Sequence, residues 1–477
     1  MPPAESEMVA SLGLLLSPDR VLAGSAVQRA YDCDAYTVDR SAPTCVVLPV
    51  STEEVQSVVR WCLANEVPYT PRGAGTGLSG GALAALGGVL VSTKRMTAVL
   101  DVDVPNRCLR AQAGAVNLHL SRAVAGDGLH FAPDPSSQTV STLGGNIAEN
   151  SGGPHTLKYG VTVQHVLEVT MVATDGEVVT IGGRLPGLPG LDLLGVVVGS
   201  EGTLGIVTEA WVRLTPNPER VETALASFGD TRAATETVAA IIAAGTIPAA
   251  LEMIDEGCLK AVLAAFPLDV PPETKALLLI ECDGPAAQAQ REIALVVDTC
   301  AQHGAIRVDV AKDEKERAKL WTARKKGIGA MGRLAPTIVT HDGVIPRSKL
   351  PVMLEFVYAV AREHGLGVGN MFHAGDGNLH PIFYFDDREE GKIDAVVAAG
   401  EKVIAKCIEL GGSASGEHGI GVEKSDLLKL MFGPEDMRLQ RDVKAVFHAS
   451  ALCNPCKVIP DQKGCVEHMR RWRGAAN

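Results

Sequence analysis

The stretch Pro71-Arg72-Gly73-Ala74-Gly75-Thr76-Gly77-Leu78-Ser79-Gly80-Gly81 decides the fold. It follows Val67 to Thr70, which reads as a strand, and that is where a loop cradling phosphate through bare backbone N–H groups belongs. Three architectures compete for it. Gly75, Gly77 and Gly80 satisfy the G-x-G-x-x-G fingerprint of the Rossmann fold, and Asp101 lies about 20 residues on, where that fold keeps its acidic residue. The Rossmann reading then needs a helix, but Gly87-Gly88 interrupts the stretch and Val89 to Ser92 reads as a strand. Gly77-Leu78-Ser79-Gly80-Gly81 also fits the G-x-S-x-G nucleophile elbow, which fails for want of the same helix. The reading left standing is a loop that wraps a pyrophosphate with backbone alone.

Working outward, the region from about Ser41 to Thr215 is dense in short strands separated by glycine turns. Ser51-Thr52-Glu53-Glu54 reads as a capping box opening a helix to about Asn65. Strands fit Ala98 to Val102 and Leu109 to Ala113, and a hairpin fits His165 to Ile181 with its turn at Asp175-Gly176. From about Glu222 the units lengthen: a helix from Thr231 to Ala244, a strand from Ala276 to Cys282 and a helix from Pro285 to Gln302. Pro216-Asn217-Pro218 fits a linker, because two prolines oppose both helix and ladder. The expected fold class is α+β. The pattern divides the chain into an N-terminal helical segment (1–40), a strand-dense domain (41–217), a second domain of longer units (218–430) and a C-terminal helical segment (431–477).

Composition bounds the function. The chain has 477 residues, 46% of them hydrophobic and 21% charged, which is globular and large enough for more than one core. A net charge of −12 argues against a nucleic-acid partner, because phosphate binding needs clustered Lys and Arg. Only Arg470, Arg471 and Arg473 form a basic patch. No run approaches the roughly 18 apolar residues of a membrane span, and Glu5, Glu7 and Asp19 make the start too acidic for a transit peptide. The expected location is cytoplasmic, with any attachment to the inner face of a membrane made through partners. The 11 cysteines sit mostly singly in apolar segments and read as reduced and buried. Cys453-Asn454-Pro455-Cys456 has the spacing of a redox pair or half a zinc site, but with only Cys465 as a loose third member a structural role is expected.

Four ordered stretches resemble the successive cofactor loops of the vanillyl-alcohol-oxidase/PCMH flavoprotein superfamily. They are Arg72 to Gly81, Asp134-Pro135-Ser136-Ser137, Gly144-Gly145-Asn146-Ile147-Ala148-Glu149-Asn150-Ser151-Gly152-Gly153, and Gly199-Ser200-Glu201-Gly202-Thr203-Leu204-Gly205-Ile206-Val207-Thr208. The resemblance implies a PCMH-type FAD-binding domain (41–217), a substrate or cap domain with a largely antiparallel sheet (218–430) and a C-terminal segment (431–477) that returns to the flavin. Its FAD contacts would be Arg72, Gly73, Ala74, Gly75, Thr76, Gly77, Asp134, Ser137, Gly144, Gly145, Asn150, Gly153, Glu201, Gly202 and Ile206, joined by Asn454 near the C-terminus. Arg72 to Gly81 holds neither histidine nor cysteine, so the FAD is expected to be non-covalent.

In the later region Gly369-Asn370-Met371-Phe372-His373-Ala374-Gly375-Asp376-Gly377-Asn378-Leu379-His380 reads as strand, turn, strand, which brings His373 and His380 together. Two converging imidazoles suit Zn, Mn or Fe, although a bland structural pair fits the residues equally. Ser415-Gly416-Glu417-His418-Gly419 supplies a carboxylate and, facing the other way in an extended loop, a further imidazole. With Trp321-Thr322-Ala323-Arg324-Lys325 and Asn454-Pro455, these motifs resemble the FAD-linked glycolate oxidase subunit and its D-lactate and D-2-hydroxyglutarate dehydrogenase relatives, from about Asp32 to Pro460.

This resemblance implies that His373, His380 and Glu417 bind a divalent metal, that His418 is the base and that Arg324 holds the substrate carboxylate. The expected reaction is oxidation of a small D-2-hydroxy acid with hydride passing to the flavin. Reduced flavin would hand electrons to an iron–sulfur partner or other acceptor subunit, a quinone or a cytochrome, among which the sequence does not choose; the chain has no four-cysteine cluster motif to hold such a centre itself. Cys456 departs from the family's glycine in Asn-Pro-Gly-Lys. Thr340 stands where hydroxyglutarate enzymes carry a lysine, which disfavours a dicarboxylate. The rival readings are a D-2-hydroxyglutarate dehydrogenase, a superfamily member acting on ether lipids or aromatic alcohols, and a non-catalytic flavin subunit of an oxidase complex.

Overall fold

The computed structural model describes residues 3–185, 189–447 and 451–460; Cys465 and the basic patch at Arg470, Arg471 and Arg473 lie outside them. The chain divides into two units. The first comprises Met1–Ser151, Val161–Asn217 and His418–Asn477; the second comprises Gly152–Gly160 and Pro218–Glu417. The chain therefore leaves the second unit between Glu417 and His418 rather than near 430. The segment 152–160, read from sequence as part of the cofactor domain, goes with the second unit.

In the first unit the helix Thr52–Ala64 begins where Ser51 accepts a hydrogen bond from Glu54 N. The Glu54 carboxylate does not close the box on Ser51; it accepts from Val50 N at 2.8 Å and pairs with Arg20. This helix buries Val55, Val58, Val59 and Cys62 against a four-stranded sheet of Val21–Ala23, Cys45–Val47, Val89–Ser92 and Tyr69–Arg72. The three later strands run parallel. The N-terminal helix Glu5–Leu15 sends Met8 and Leu12 into the same core, so residues 1–40 include no separate domain. A second, antiparallel sheet of five strands contains the expected hairpin, as Val166–Ala173 paired with Val178–Gly182. From Gly73 to Gly88 there is no helix, which excludes the Rossmann and nucleophile-elbow readings.

The second unit is built on antiparallel strands flanked by long helices. Arg220–Phe228, Ala276–Gly284, Ala250–Ile254 and Gly367–His373 lie side by side, and the helices Thr231–Ala243, Glu256–Ala265, Ala286–Gln302 and Glu314–Ala330 belong to the same unit. Ala276–Gly284 is buried along nearly its whole length yet carries Glu281 at 2% exposure. A buried carboxylate must be hydrogen-bonded and balanced. Glu281 accepts from Thr223 Oγ1 (2.7 Å), Trp321 Nε1 (2.7 Å), and Arg317 Nε and Nη2 (2.8 and 2.9 Å), and pairs with His155 Nε2 (3.1 Å). His155 comes from the 152–160 segment, whose Lys158 and Tyr159 bind Asp283. Alternate polar positions of one strand thus hold that segment to this unit.

Burial would raise the Glu281 pKa, but His155 and Arg317 hold it well below the carboxylate range. A lowered folded pKa stabilises fully above the unfolded value of roughly 4.3, and the contribution is lost progressively as pH falls from there through the folded value. Glu281→Leu leaves the buried donors Trp321 Nε1 and Thr223 Oγ1 without their acceptor, while the half-buried Arg317 keeps Glu314, a loss of about 2–3 kcal/mol. Urea titration at pH 7 should show that loss, and the gap between wild type and variant should narrow below about pH 4. A midpoint shift independent of pH would contradict this account of the strand.

Candidate active site

The glycine loop leaves the strand Tyr69–Arg72 in the first unit. Arg72 is buried, donates to Cys33 O at 2.9 Å and lies over the Tyr31 ring. The backbone N–H groups of Ala74, Gly75, Thr76 and Gly77 have no acceptor among the described residues. Gly75 has φ +72°, and a Cβ on it would meet Arg72 Nη2 at 2.2 Å. A Cβ on Gly77 would meet only Glu149 and Asp34 oxygens, at 3.6 and 3.7 Å. Protein packing demands glycine at 75 but not at 77, so the bareness of Gly77 serves a ligand's approach.

The other loops close on this one within the unit. The helix Leu143–Glu149 is capped by Thr142, which accepts from Gly145 N, and it ends at Asn150 with φ +52°. Asn150 Oδ1 accepts from Val163 N at 2.8 Å. Gly144 stacks directly against Ala113. Asp134 and Ser137 lie in the half-buried segment before this helix. Gly202 approaches Pro71 too closely for any side chain, and Ile206 is a core residue. Asn454 returns beside the strand, with its N donating to Tyr69 O at 2.8 Å and Nδ2 to Glu201 O at 2.7 Å. Of the expected FAD contacts only Gly153 belongs to the second unit.

Sequence reading missed four groups here. Asn146 is 1% exposed with neither amide atom partnered, and Ser79 Oγ, Ser141 Oγ and Glu149 Oε2 are buried without partners. Unpartnered buried polar atoms around a loop of free N–H groups fit a polar, phosphate-bearing ligand such as FAD. Burial, then Glu201 and Asp34, push the Glu149 carboxyl well above its usual range, while burial lowers Lys457 to about 8. Cys453 is a free, buried thiol pushed up to about 12, so it does not pair with Cys456 as a redox couple.

The second unit carries the histidine pair. Register runs from Gly367↔Tyr384 to His373↔Asn378, a regular hairpin that sets the two histidines diagonally on one face. Their ring centroids are 5.1 Å apart and nearly perpendicular. His373 Nε2 and His380 Nε2 lie 3.3 and 3.2 Å from the same Glu417 oxygen. Ligands at metal bond lengths of 2.0–2.2 Å stand about 3.4 Å apart on the edge of a tetrahedron, so the donor set fits a small divalent ion. Nδ1 of His373 meets Glu252 Oε1 at 2.7 Å, and Nδ1 of His380 lies 3.8 Å from Asp342 Oδ1. Asp342 accepts from Ser415 Oγ and Gly416 N, which steadies the loop leading to Glu417.

Burial opposes charge on His373, but Glu252 and Glu417 raise its imidazole well above the ordinary range. Burial likewise opposes charge on Glu417, yet the two histidines hold it well below. Arg324 is only 2% exposed, and its Nη2 lies 2.5 Å from Glu252 Oε2. The guanidinium expected to meet the substrate is thus engaged behind the His373 imidazole. Glu252 was not anticipated. The signal was a single acid inside the apolar run Ala250-Leu251-Glu252-Met253-Ile254, where strand register sets it opposite His373. His418 is half-buried and belongs to the first unit.

Residues 43–182 match the model of an FAD binding domain, and residues 217–458 match the C-terminal domain of FAD linked oxidases. The glycolate oxidase subunit GlcD of Escherichia coli K12 is 42% identical, covering 92% of this chain and 88% of its own. A D-lactate dehydrogenase of Anaerostipes hadrus is 34% identical over 93% and 95% of the two chains. Among solved structures, the 4-ethylphenol oxidase of Gulosibacter chungangensis superposes with a TM-score of 0.80 at 18% identity, covering 96% and 98% of the two chains. p-Cresol methylhydroxylase superposes with a TM-score of 0.79 at 16% identity, covering 95% and 96%. These likenesses establish the PCMH-type fold. Fold and site together define an FAD-dependent oxidoreductase. The chain belongs to the family of the glycolate oxidase FAD-linked subunit and the FAD-dependent D-lactate dehydrogenases, enzymes of hydroxy-acid oxidation. No described helix is long and apolar enough to cross a membrane.

The contrast between Gly75 and Gly77 gives a test of the cradle. Gly77→Ala should fold normally and lose most of its FAD, whereas Gly75→Ala should lose stability as well, because of its left-handed backbone. Flavin absorbance and thermal melts on the two variants check this. Normal flavin content in Gly77→Ala would place the pyrophosphate elsewhere.

Proposed function

We propose that the chain oxidises glycolate or D-lactate to glyoxylate or pyruvate, using non-covalent FAD and a divalent Zn, Mn or Fe ion. The observation that carries this reading is the His373/His380/Glu417 donor set at metal-ligand spacing, with a carboxylate behind each imidazole, in a family of FAD-linked hydroxy-acid oxidoreductases. When bound, FAD supplies the two-electron acceptor and the metal a Lewis acid that acidifies the substrate hydroxyl.

The protein's own groups do the rest. His373 presents Nε2 as a donor because Glu252 holds its Nδ1 side at 2.7 Å, the arrangement that fixes ring orientation in metal sites, while Asp342 stands 3.8 Å from Nδ1 of His380, beyond direct hydrogen-bond reach. Glu417 adds the negative charge. His418, next in the chain, takes the hydroxyl proton as general base. Arg324 holds Glu252 in place, so its first effect is on the metal site; the substrate clamp implied by resemblance would require the guanidinium to leave that carboxylate. The electron acceptor is a separate iron–sulfur or other redox subunit, and the working location is cytoplasmic or at the inner membrane face through that partner.

Thr340 disfavours the D-2-hydroxyglutarate reading: it is neutral, 8% exposed and paired with Ile382 in a short ladder. A dye-linked assay should therefore give glycolate or D-lactate a kcat/KM at least about tenfold above D-2-hydroxyglutarate, the discrimination expected when a distal charge meets no partner. A preference for the dicarboxylate would overturn the substrate assignment. Inactivity on every hydroxy acid, with FAD retained, would favour the non-catalytic subunit.

Ligand, base and positioning residue separate by variant. Glu417→Gln should lose metal and activity together, with partial rescue by excess metal. His418→Asn should keep metal and FAD but slow flavin reduction by about 10²–10⁴-fold. Arg324→Met should weaken metal binding about 10–100-fold, whereas a pure substrate clamp would raise KM with metal content unchanged. Metal analysis and stopped-flow reduction on the three proteins decide among these roles.

A further inference from the structure

Glu201, expected from its motif to serve the cofactor, directs its side chain to another task. Its carboxylate accepts two backbone hydrogen bonds, from Ile420 N at 2.6 Å and Gly421 N at 2.7 Å. Both donors lie in the segment that His418 opens, within three residues of it. The same segment is fastened at other points of the first unit. Ser79 O accepts from Val422 N at 3.0 Å and Glu423 N at 3.3 Å, and Lys424 Nζ donates back to Gly419 O at 3.1 Å. At Gly421 the fit admits no side chain, since a Cβ would fall 2.0 Å from Ser79 O.

Glu201 is itself rigidly placed. It is 5% exposed with φ +53°, its N donates to Ala148 O at 2.8 Å, and its carbonyl receives Asn454 Nδ2 at 2.7 Å. Charge-assisted bonds from a carboxylate to backbone N–H groups are short and strong. A buried, backbone-locked carboxylate gripping two consecutive N–H groups therefore sets where the His418 backbone lies. We propose that Glu201 is a positioning residue for His418, acting on the backbone of the base rather than on FAD or substrate. This rests on His418 being the base. A displacement of about 1 Å in a catalytic group costs on the order of 10²-fold in rate, which sets the size of the expected effect.

The test is a double-mutant cycle on the full-length holoprotein. Glu201→Gln turns one acceptor into a donor facing an N–H; Glu201→Asp keeps the charge but withdraws it by a methylene. Each is made alone and with His418→Asn, and FAD per chain, KM and the flavin-reduction rate are measured with glycolate and D-lactate. Both single variants should keep about one FAD per chain and a near-normal KM while reduction slows about 10–10²-fold. Neither should slow His418→Asn further, because the residue acts through the imidazole. Loss of FAD in the single variants, or an undiminished rate loss on top of His418→Asn, would overturn the proposal and return Glu201 to the cofactor. If His418→Asn alone reduces flavin at the normal rate, the base assignment itself fails, a result visible without any Glu201 variant.

Discussion

The second unit is organised around one carboxylate oxygen, that of the half-buried Glu417, held between two buried imidazoles. An isolated charge in such a place is too costly to persist, and the surroundings answer it in alternating sign. Behind Glu417 stands His373, behind His373 stands Glu252, and behind Glu252 stands Arg324. These four come from a loop, two neighbouring strands and a helix, so the site depends on sheet register as much as on its ligands. Shifting the hairpin by one residue would turn both histidines to the opposite face. That coupling explains why so much of this unit's polar surface is buried, and why deleting any member leaves its neighbour as an uncompensated charge.

The first unit meets the opposite requirement. In the proposed cradle a doubly charged pyrophosphate would meet the free N–H groups of Ala74 to Gly77 rather than a row of cations. Arg72, which opens the loop, is the buried cation beside it, and the buried Lys424 and Lys457 balance acids. Burial, with Glu201 and Asp34 beside it, pushes the Glu149 carboxyl up, and Lys424 and Lys457 offset that shift.

Local signals made much of this readable in sequence. Ser51 capping, the Asp175-Gly176 turn and the apolar period of Ala276–Cys282 each have a short-range physical cause, and each element formed where it was expected. The glycine loop was legible because the absence of a following helix eliminates its two decoys. The histidine pair was legible because a hairpin is a local object. Glu252 and Glu281 were not, since a lone acid in an apolar run reveals only that some partner must exist; which partner it finds is decided by strands and helices distant in sequence. Arg324 was misjudged for the same reason, because its role depends on Glu252. The boundary at Glu417–His418 carries no compositional mark, since a glycine-rich loop looks alike on both sides of it.

The closing turn shows how such long-range demands override local preference. Asn454, Cys456 and Val458 all have left-handed backbone, with φ of +39°, +66° and +63°. For a residue with a Cβ this conformation costs roughly 1–2 kcal/mol, and glycine was the expected residue at the middle position. The strain persists because the turn delivers two side chains that nothing nearer could supply. Asn454 ties Glu201 O to Gly81 O, and Lys457, fully buried, donates to Leu83 O at 2.8 Å while countering Asp34, Glu201 and Glu149. A straighter path would leave three buried acids with one cation fewer. Burial pushes all three carboxyls up, and Lys457 acts against that shift in each of them, a long-range task that the local sequence of the turn, with the disulfide-bonded Cys456 at its middle, does not announce.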